Sequence, residues 1–189
     1  MNPAFELSEY QRRLAKVRSA MSDKELDALV IGDPANMNWL TGFDAWSFYV
    51  PQVMLVLHDH PPVWLGRQMD AGSVALTTHL GAESVRPYAE DLVQRDGVHP
   101  MDAIGTSLAE FHLEGKRVGF ESDTYFFSFK AVERLQTKLS GAIWVDADLL
   151  VRVSDPHDRR RAYIALADST ADALARYFAA VGATELAVV

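Results

Sequence analysis

Short apolar segments alternate with helical patterns along this chain, and that alternation constrains the fold more than any other feature. Six segments of five or six residues are predicted to be strands, at 26–31, 52–57, 62–66, 83–87, 117–121 and 142–146. Strands that alternate with amphipathic helices form an α/β sheet covered by helices. The turn HDHP at 58–61 joins two of the strands into a hairpin, so we predict a mixed sheet.

Apolar residues at helical spacing predict the helices between these strands. They recur at about 8–21, 68–79, 100–111, 124–139 and 156–181. Ser8 to Gln11 has the pattern of a capping box at the start of the first helix, and Asp155-Pro156 is typical of the start of the last. We therefore predict an α/β fold, a three-layer-like sandwich with a mixed sheet flanked by helices.

Charge and composition exclude several classes of function. The chain has 189 residues, a net charge of -8 and no cysteine, so disulfides and thiolate metal sites are excluded. No segment concentrates enough Lys and Arg for a nucleic-acid surface, and no apolar run is long enough to span a membrane. The first ten residues lack the pattern of a signal peptide. We expect a cytoplasmic protein without nucleic-acid or membrane partners.

Residues 33–50 combine turn-forming residues with five aromatic side chains: Trp39, Phe43, Trp46, Phe48 and Tyr49. A core strand would not carry so many polar residues, and a solvated loop would not carry so many aromatics. We expect Met37, Trp39 and Leu40 to pack against the sheet. The second half of the segment, Trp46, Ser47, Phe48 and Tyr49, is the candidate for contact with a substrate or partner. The alternative is that all five aromatics are core residues.

Acidic pairs lie just beyond two of the predicted strands, where α/β proteins often bind ligands. They are Glu121 with Asp123 and Asp146 with Asp148. No nucleophile, base or metal partner accompanies either pair, so we favour caps of the following helix. For Arg159, Arg160 and Arg161 we favour a solvated face or an inter-domain contact over a phosphate site.

Histidines also provide little evidence for a catalytic site. His58 and His60 flank Asp59, but no third ligand accompanies them, and an exposed turn is favoured over a metal cluster. The remaining histidines, including His99, read as surface or capping residues. The nucleotide-binding, esterase and metalloprotease motifs do not occur in the sequence.

The string NMNWLTGF at 36–43 resembles the segment after the first strand in the N-terminal domains of the creatinase, prolidase and Xaa-Pro aminopeptidase family. The other elements follow in the family's order, from the opening helix to IWVDADLLVRV at 143–153. The longer string up to Val50, together with GFESDTYFF at 119–127 and HPMD at 99–102, is most similar to the ectoine hydrolase branch. This resemblance implies a ribonuclease H-like motif within residues 1–153.

The resemblance also implies what the rest of such a protein contains. Family members have a C-terminal pita-bread domain in which two aspartates, a histidine and two glutamates hold a divalent metal pair. That ligand set is not recognisable here, so we expect no cofactor in this chain and no activity from it alone. Residues 154–189 depart from the family's junction and are predicted to form a helical tail. The apolar face of the predicted 156–181 helix must be buried, so we expect this helix, the segment 46–49 or both to lie at a subunit contact.

Members of this family form dimers, and their N-terminal domain supplies side chains to the rim of a substrate site. The resemblance therefore implies a homodimer in which Trp46, Ser47, Phe48 and Tyr49 contribute to that rim. Two alternatives remain open. The chain could belong to an Xaa-Pro dipeptidase or aminopeptidase with a dipeptide substrate. It could instead be a stand-alone dimerisation or small-molecule-binding module, with a pocket near Glu121 and Asp146.

Overall fold

The computed structural model describes residues 3–45, 47, 50–122, 124–147, 150–154 and 162–166. Contacts divide the chain into two compact units, 1–148 and 149–189. The predicted domain boundary after residue 153 differs from this division, and it remains a prediction. No helix in the described ranges is long and apolar enough to cross a membrane.

The first unit contains one mixed sheet of six strands in the order β4-β3-β2-β1-β5-β6. Its strands are β1 (Ala28–Ile31), β2 (Val53–Leu57), β3 (Val63–Arg67), β4 (Val85–Tyr88), β5 (Arg117–Phe120) and β6 (Ile143–Asp146). β2 is antiparallel to both of its neighbours, and the other neighbouring pairs are parallel. The predicted mixed sheet is confirmed, and the β2–β3 hairpin accounts for its mixed character.

Helices cover both faces of this sheet, as predicted. They are α1 (Leu7–Asp23), α2 (Pro34–Thr41), α3 (Ala71–Thr77), α4 (Pro100–Ala109) and α5 (Phe129–Lys138). One core cluster joins alternate residues of the strands, such as Val30 and Leu55, to Ile104 of α4 and Leu135 of α5. The intervening strand residues are also buried and point the other way, because side chains alternate along a strand.

Two predicted helix starts are wrong. α1 begins at Leu7 and its N-cap position is Glu6, which makes no side-chain capping bond, so Ser8 lies inside the helix and forms no capping box. α5 begins at Phe129 rather than near residue 124. The Ser128 hydroxyl accepts a hydrogen bond from the Ala131 N–H at 3.1 Å and so fixes the first turn there.

The helix α2 was not predicted, because its cap residues look like turn residues. The Asp33 carboxylate accepts a hydrogen bond from the Ala35 N–H at 2.7 Å, and Pro34 occupies the first turn. Gly42 ends the helix with φ of 82°, in the left-handed region that glycine adopts without strain. The first part of the aromatic segment is therefore a capped helix.

The second unit contains two described strands, β7 (Leu150–Ser154) and β8 (Ala162–Leu166), paired antiparallel. The predicted helix over 156–181 is therefore wrong for residues 162–166. The stretch AYIAL includes aromatic and β-branched residues that suit a strand, and pairing with β7 provides its backbone hydrogen bonds. The rest of that predicted helix, with Arg159, Arg160 and Arg161, lies outside the described residues.

Candidate functional site

Five of the six strands run in one direction, so their carboxyl ends share one edge of the sheet. The exception is β2, which is antiparallel to β1 and β3 and therefore begins at that edge. Residues 32–33 after β1, Glu121 after β5 and Gln52 before β2 all lie there. Ligands of α/β proteins bind beyond this edge.

Glu121 joins β5 to the start of α2. Its Oε2 accepts hydrogen bonds from the backbone N–H groups of Gly32 at 2.8 Å and Asp33 at 2.9 Å. Its Oε1 accepts a hydrogen bond from Nδ2 of Asn36. The side chain is buried, with 4% of its surface exposed, so it is a fixed connection between two elements rather than a surface carboxylate.

Burial raises the pKa of Glu121 to about 7, with a smaller contribution from the nearby Asp33 carboxylate. The hydrogen bonds from Asp33, Asn36 and Gly32 favour the charged form and oppose this shift. The side chain of Glu121 therefore titrates near neutral pH, and it lies at the edge of the sheet where the parallel strands end.

The predicted capping role of the acidic pairs is wrong for the described members. Glu121 binds the start of α2, and α5 is capped by Ser128. Asp146 accepts a hydrogen bond from the Ser122 hydroxyl at 2.8 Å. Asp123 and Asp148 lie outside the described residues. Glu121 was misinterpreted because its partner helix was not predicted, although an acidic residue directly after an apolar strand was a visible signal.

The aromatic segment divides into a core part and a part outside the described residues. Met37 and Leu40 are buried, as predicted. Trp39 is half-buried, and the guanidinium carbon of Arg13 lies 5.3 Å from the centre of its ring. Phe43 is buried against Trp64, with ring centres 5.6 Å apart.

Ser47 is the one predicted contact residue that the structure describes. It is half-buried and lies in the wall of a cavity of about 500 Å³ at the carboxyl edge. The wall also contains residues 50–52, 92–96 and 98–100, together with Tyr125, Phe126, Ser128 and Ala131. Trp46, Phe48 and Tyr49 lie outside the described residues, and their predicted role stays a prediction.

This cavity does not lie at the position of the alternative pocket that was predicted near Glu121 and Asp146. Neither residue is part of its wall, and Glu121 is sealed by α2. The cavity instead adjoins Gln52, a polar residue at the head of the apolar strand segment QVMLVL. A polar residue at the head of an apolar strand is a visible signal in the sequence, but by itself it does not predict a site.

The two histidines of the hairpin turn, His58 and His60, form hydrogen bonds with backbone carbonyl groups. Nε2 of His58 lies 2.8 Å from the Leu26 carbonyl oxygen, and Nδ1 of His60 lies 2.8 Å from that of Pro61. Within the described residues, no group of three or more histidine and acidic side chains could hold a metal ion. His99 is the N-cap of α4, which confirms the predicted capping role.

Comparisons with known proteins relate this architecture to a family. The sequence profile of the Creatinase/Prolidase N-terminal domain matches residues 13–155. The ectoine hydrolase of Halomonas elongata is 43% identical over 148 residues, which are 78% of this chain and 37% of that protein. The chain thus spans little more than a third of that relative's length.

Two solved structures share the fold. A proline dipeptidase from Streptococcus pneumoniae aligns with a TM-score of 0.57 and 23% identity, over 71% of this chain and 90% of that chain. The Creatinase/Prolidase N-terminal domain of an X-Pro dipeptidase from Streptococcus pyogenes aligns with a TM-score of 0.57 and 21% identity, over 71% of this chain and 98% of that one. Since the profile covers most of the chain and the mixed sheet matches these structures, the chain belongs to the Creatinase/Prolidase N-terminal domain family.

Proposed function

We propose that this chain is the non-catalytic N-terminal domain of a metal-dependent C–N hydrolase that resembles ectoine hydrolase and creatinase. In this proposal the chain acts in the cytoplasm as part of a homodimer, and a separate catalytic domain holds the divalent metal pair. The 43% identity to ectoine hydrolase carries the proposal.

The domain's own contribution is to the rim of the substrate site, through Trp46, Ser47, Phe48 and Tyr49. The segment is anchored on both sides, because Phe43 before it and Val50 after it are buried. Ser47 lies in a cavity wall at the edge of the sheet where α/β proteins bind ligands. An aromatic rim would exclude water and offer rigid surface to a small substrate.

Two exposed aromatic residues beside the cavity support a contact surface at this edge. Tyr125 in the cavity wall is fully exposed, and Phe129, which follows the wall residue Ser128, is 88% exposed. Large aromatic side chains at neighbouring exposed positions are typical of surfaces that bind another molecule. A second subunit or the catalytic domain would cover them in the assembled enzyme.

A domain exchange tests the proposal. Residues 1–153 of this chain would replace the N-terminal domain of the Halomonas elongata ectoine hydrolase, and ectoine hydrolysis would be measured. We expect the chimera to be dimeric and active. The double variant Trp46→Ser/Phe48→Ser should raise KM about tenfold, because two aromatic contacts contribute about 1–2 kcal/mol to binding.

The matched control is Met69→Ser/Leu76→Ser, which removes two apolar side chains that are 67% and 52% exposed elsewhere on the domain. It should leave KM unchanged. A folded, dimeric chimera without activity would contradict the assignment to a C–N hydrolase of this kind. An active chimera in which both double variants have the same KM would contradict the rim role alone.

A further inference from the structure

Arg13 of α1 lies at the centre of a cluster of three aromatic rings. Its guanidinium carbon is 4.6 Å from the ring centre of Phe5, 5.5 Å from that of Tyr10 and 5.3 Å from that of Trp39. The side chain is 11% exposed, and its Nε donates a hydrogen bond to Glu9 at 2.7 Å. A cation over an aromatic face is stabilised most where water is excluded. Arg13 is therefore a fixed contact of α1 rather than a mobile surface cation.

Arg13 also binds the last turn of α2. Its Nη1 donates a hydrogen bond to the Trp39 carbonyl oxygen at 2.7 Å. The last carbonyl groups of a helix carry partial negative charge, which favours a cation at that end. Tyr10 lies against the same end, since its hydroxyl oxygen would be 2.6 Å from a Cβ atom placed on Gly42. Two side chains of α1 thus hold the carboxyl end of α2.

The chain that leaves α2 bonds back to this last turn. The N–H of Gly42 donates to the Asn38 carbonyl oxygen at 2.7 Å. The N–H of Phe43 donates to the Thr41 hydroxyl at 3.3 Å, and the Phe43 carbonyl oxygen accepts from Nδ2 of Asn38 at 3.3 Å. The direction in which the chain proceeds towards the segment 46–49 therefore depends on the orientation of the last turn of α2.

We propose that Arg13 is a positioning residue for the segment 46–49. By fixing the last turn of α2 to α1, Arg13 sets the direction in which the chain enters that segment. Where it concerns substrate, the inference rests on the proposed function; the contacts of Arg13 themselves lie within the domain. Arg12 provides a comparison, because it bonds to the same Glu9 carboxylate across one turn of α1 while its side chain is 55% exposed.

Nuclear magnetic resonance of the full 189-residue chain, labelled with ¹⁵N, tests this inference. Arg13→Gln removes the cation and its bond to Trp39. We expect amide exchange of Gly42 to become about tenfold faster relative to that of Leu55 in β2, because one charge-assisted hydrogen bond at the end of α2 is lost. This readout reports the last turn of α2 separately from the stability of the whole domain.

The indole N–H signal of Trp46 reports the segment itself, and we expect it to shift in Arg13→Gln. Arg12→Gln is the matched control, which removes a bond to the same carboxylate. It should change neither the exchange of Gly42 nor the Trp46 signal. Arg13→Lys keeps a cation among the rings but has no planar fork of donors, so it should give both changes at a smaller size. It also replaces Arg13→Gln should that variant not fold.

The consequence for substrate is measured in the chimera with the ectoine hydrolase. Arg13→Gln should raise KM about fivefold and leave kcat unchanged, because the segment is proposed to contact substrate without reacting with it. An inactive chimera would contradict the proposed function. The inference would then be decided by the exchange of Gly42 and the signal of Trp46.

Three outcomes would overturn the inference. One is an equal acceleration of exchange at Gly42 and Leu55 in Arg13→Gln, which would mean that Arg13 stabilises the domain as a whole. Another is an unchanged Trp46 signal, which would mean that α1 holds α2 without orienting the segment that follows. The third is an active chimera in which Arg13→Gln leaves KM unchanged.

Discussion

Glu121 is a carboxyl group that the fold removes from water and surrounds with hydrogen-bond donors. Its pKa is raised from 4.5 to about 7, so the folded chain holds this proton more tightly than the unfolded chain. Its contribution to the free energy of unfolding is fully present below about pH 4.5 and is lost as the pH rises through about 7. The loss amounts to about 3 kcal/mol.

Glu121→Gln should remove this dependence. The Gln oxygen can accept the same backbone N–H groups, and its NH₂ can donate to Asn36 once the Asn36 amide turns over. We expect the variant to gain about 3 kcal/mol relative to the natural chain between about pH 5 and about pH 8, measured by urea unfolding. Every other titrating group is shared, so the difference isolates residue 121.

The exposed Glu110→Gln is the matched control, and its difference from the natural chain should stay constant over that range. A constant difference for Glu121→Gln as well would mean that the carboxylate is ionised throughout. The hydrogen bonds from Gly32, Asp33 and Asn36 would then outweigh its burial.

The helix α2 has only eight residues, too few to be stable in isolation, so its caps matter. Asp33→Ala removes the acceptor for the Ala35 N–H and should lower the free energy of unfolding by about 1 kcal/mol. Asp33→Asn keeps a capping oxygen and should cost far less. Urea unfolding above about pH 8 makes the comparison with Glu121 ionised in both variants.

Equal stability of Asp33→Ala and Asp33→Asn would contradict the capping role. It would mean that the bonds from Glu121 and the buried side chains of Met37 and Leu40 suffice to hold α2. The charge of Asp33 would then matter only through its effect on the pKa of Glu121.

We propose that two copies of the chain associate through the aromatic segment. A role for the predicted 156–181 helix in the contact loses support, because residues 162–166 form β8. We expect the natural chain to sediment as a dimer at micromolar concentration. Trp46→Ser/Phe48→Ser should weaken association by about 1–2 kcal/mol while the circular dichroism stays the same.

Met69→Ser/Leu76→Ser is again the control, and it should remain dimeric. A natural chain that stays monomeric at high micromolar concentration would contradict the proposed dimer. An unfolded Trp46→Ser/Phe48→Ser variant would show instead that these aromatics belong to the core. That is the alternative stated in the sequence analysis.

The sequence alone determined which residues form the sheet and most of the helices, and it identified the family. These features follow from local patterns, because strands and helices have different periods and each buries one apolar face. Both ends of α2 were also written locally, with Asp33 and Pro34 at its start and Gly42 at its end. The helix was missed because Asp, Pro and Gly serve turns and helix caps alike.

Only the tertiary structure decided the order of the strands and the partners of Glu121 and Arg13. β1 lies between β2 and β5, and Glu121 bonds to a backbone N–H 89 residues away. The periodic pattern of apolar residues does not specify which distant residues will pair, because the chain between them can fold in several ways. The pKa of Glu121 and the burial of Arg13 among aromatic rings depend on which distant atoms exclude water from them, and that depends on the packed fold.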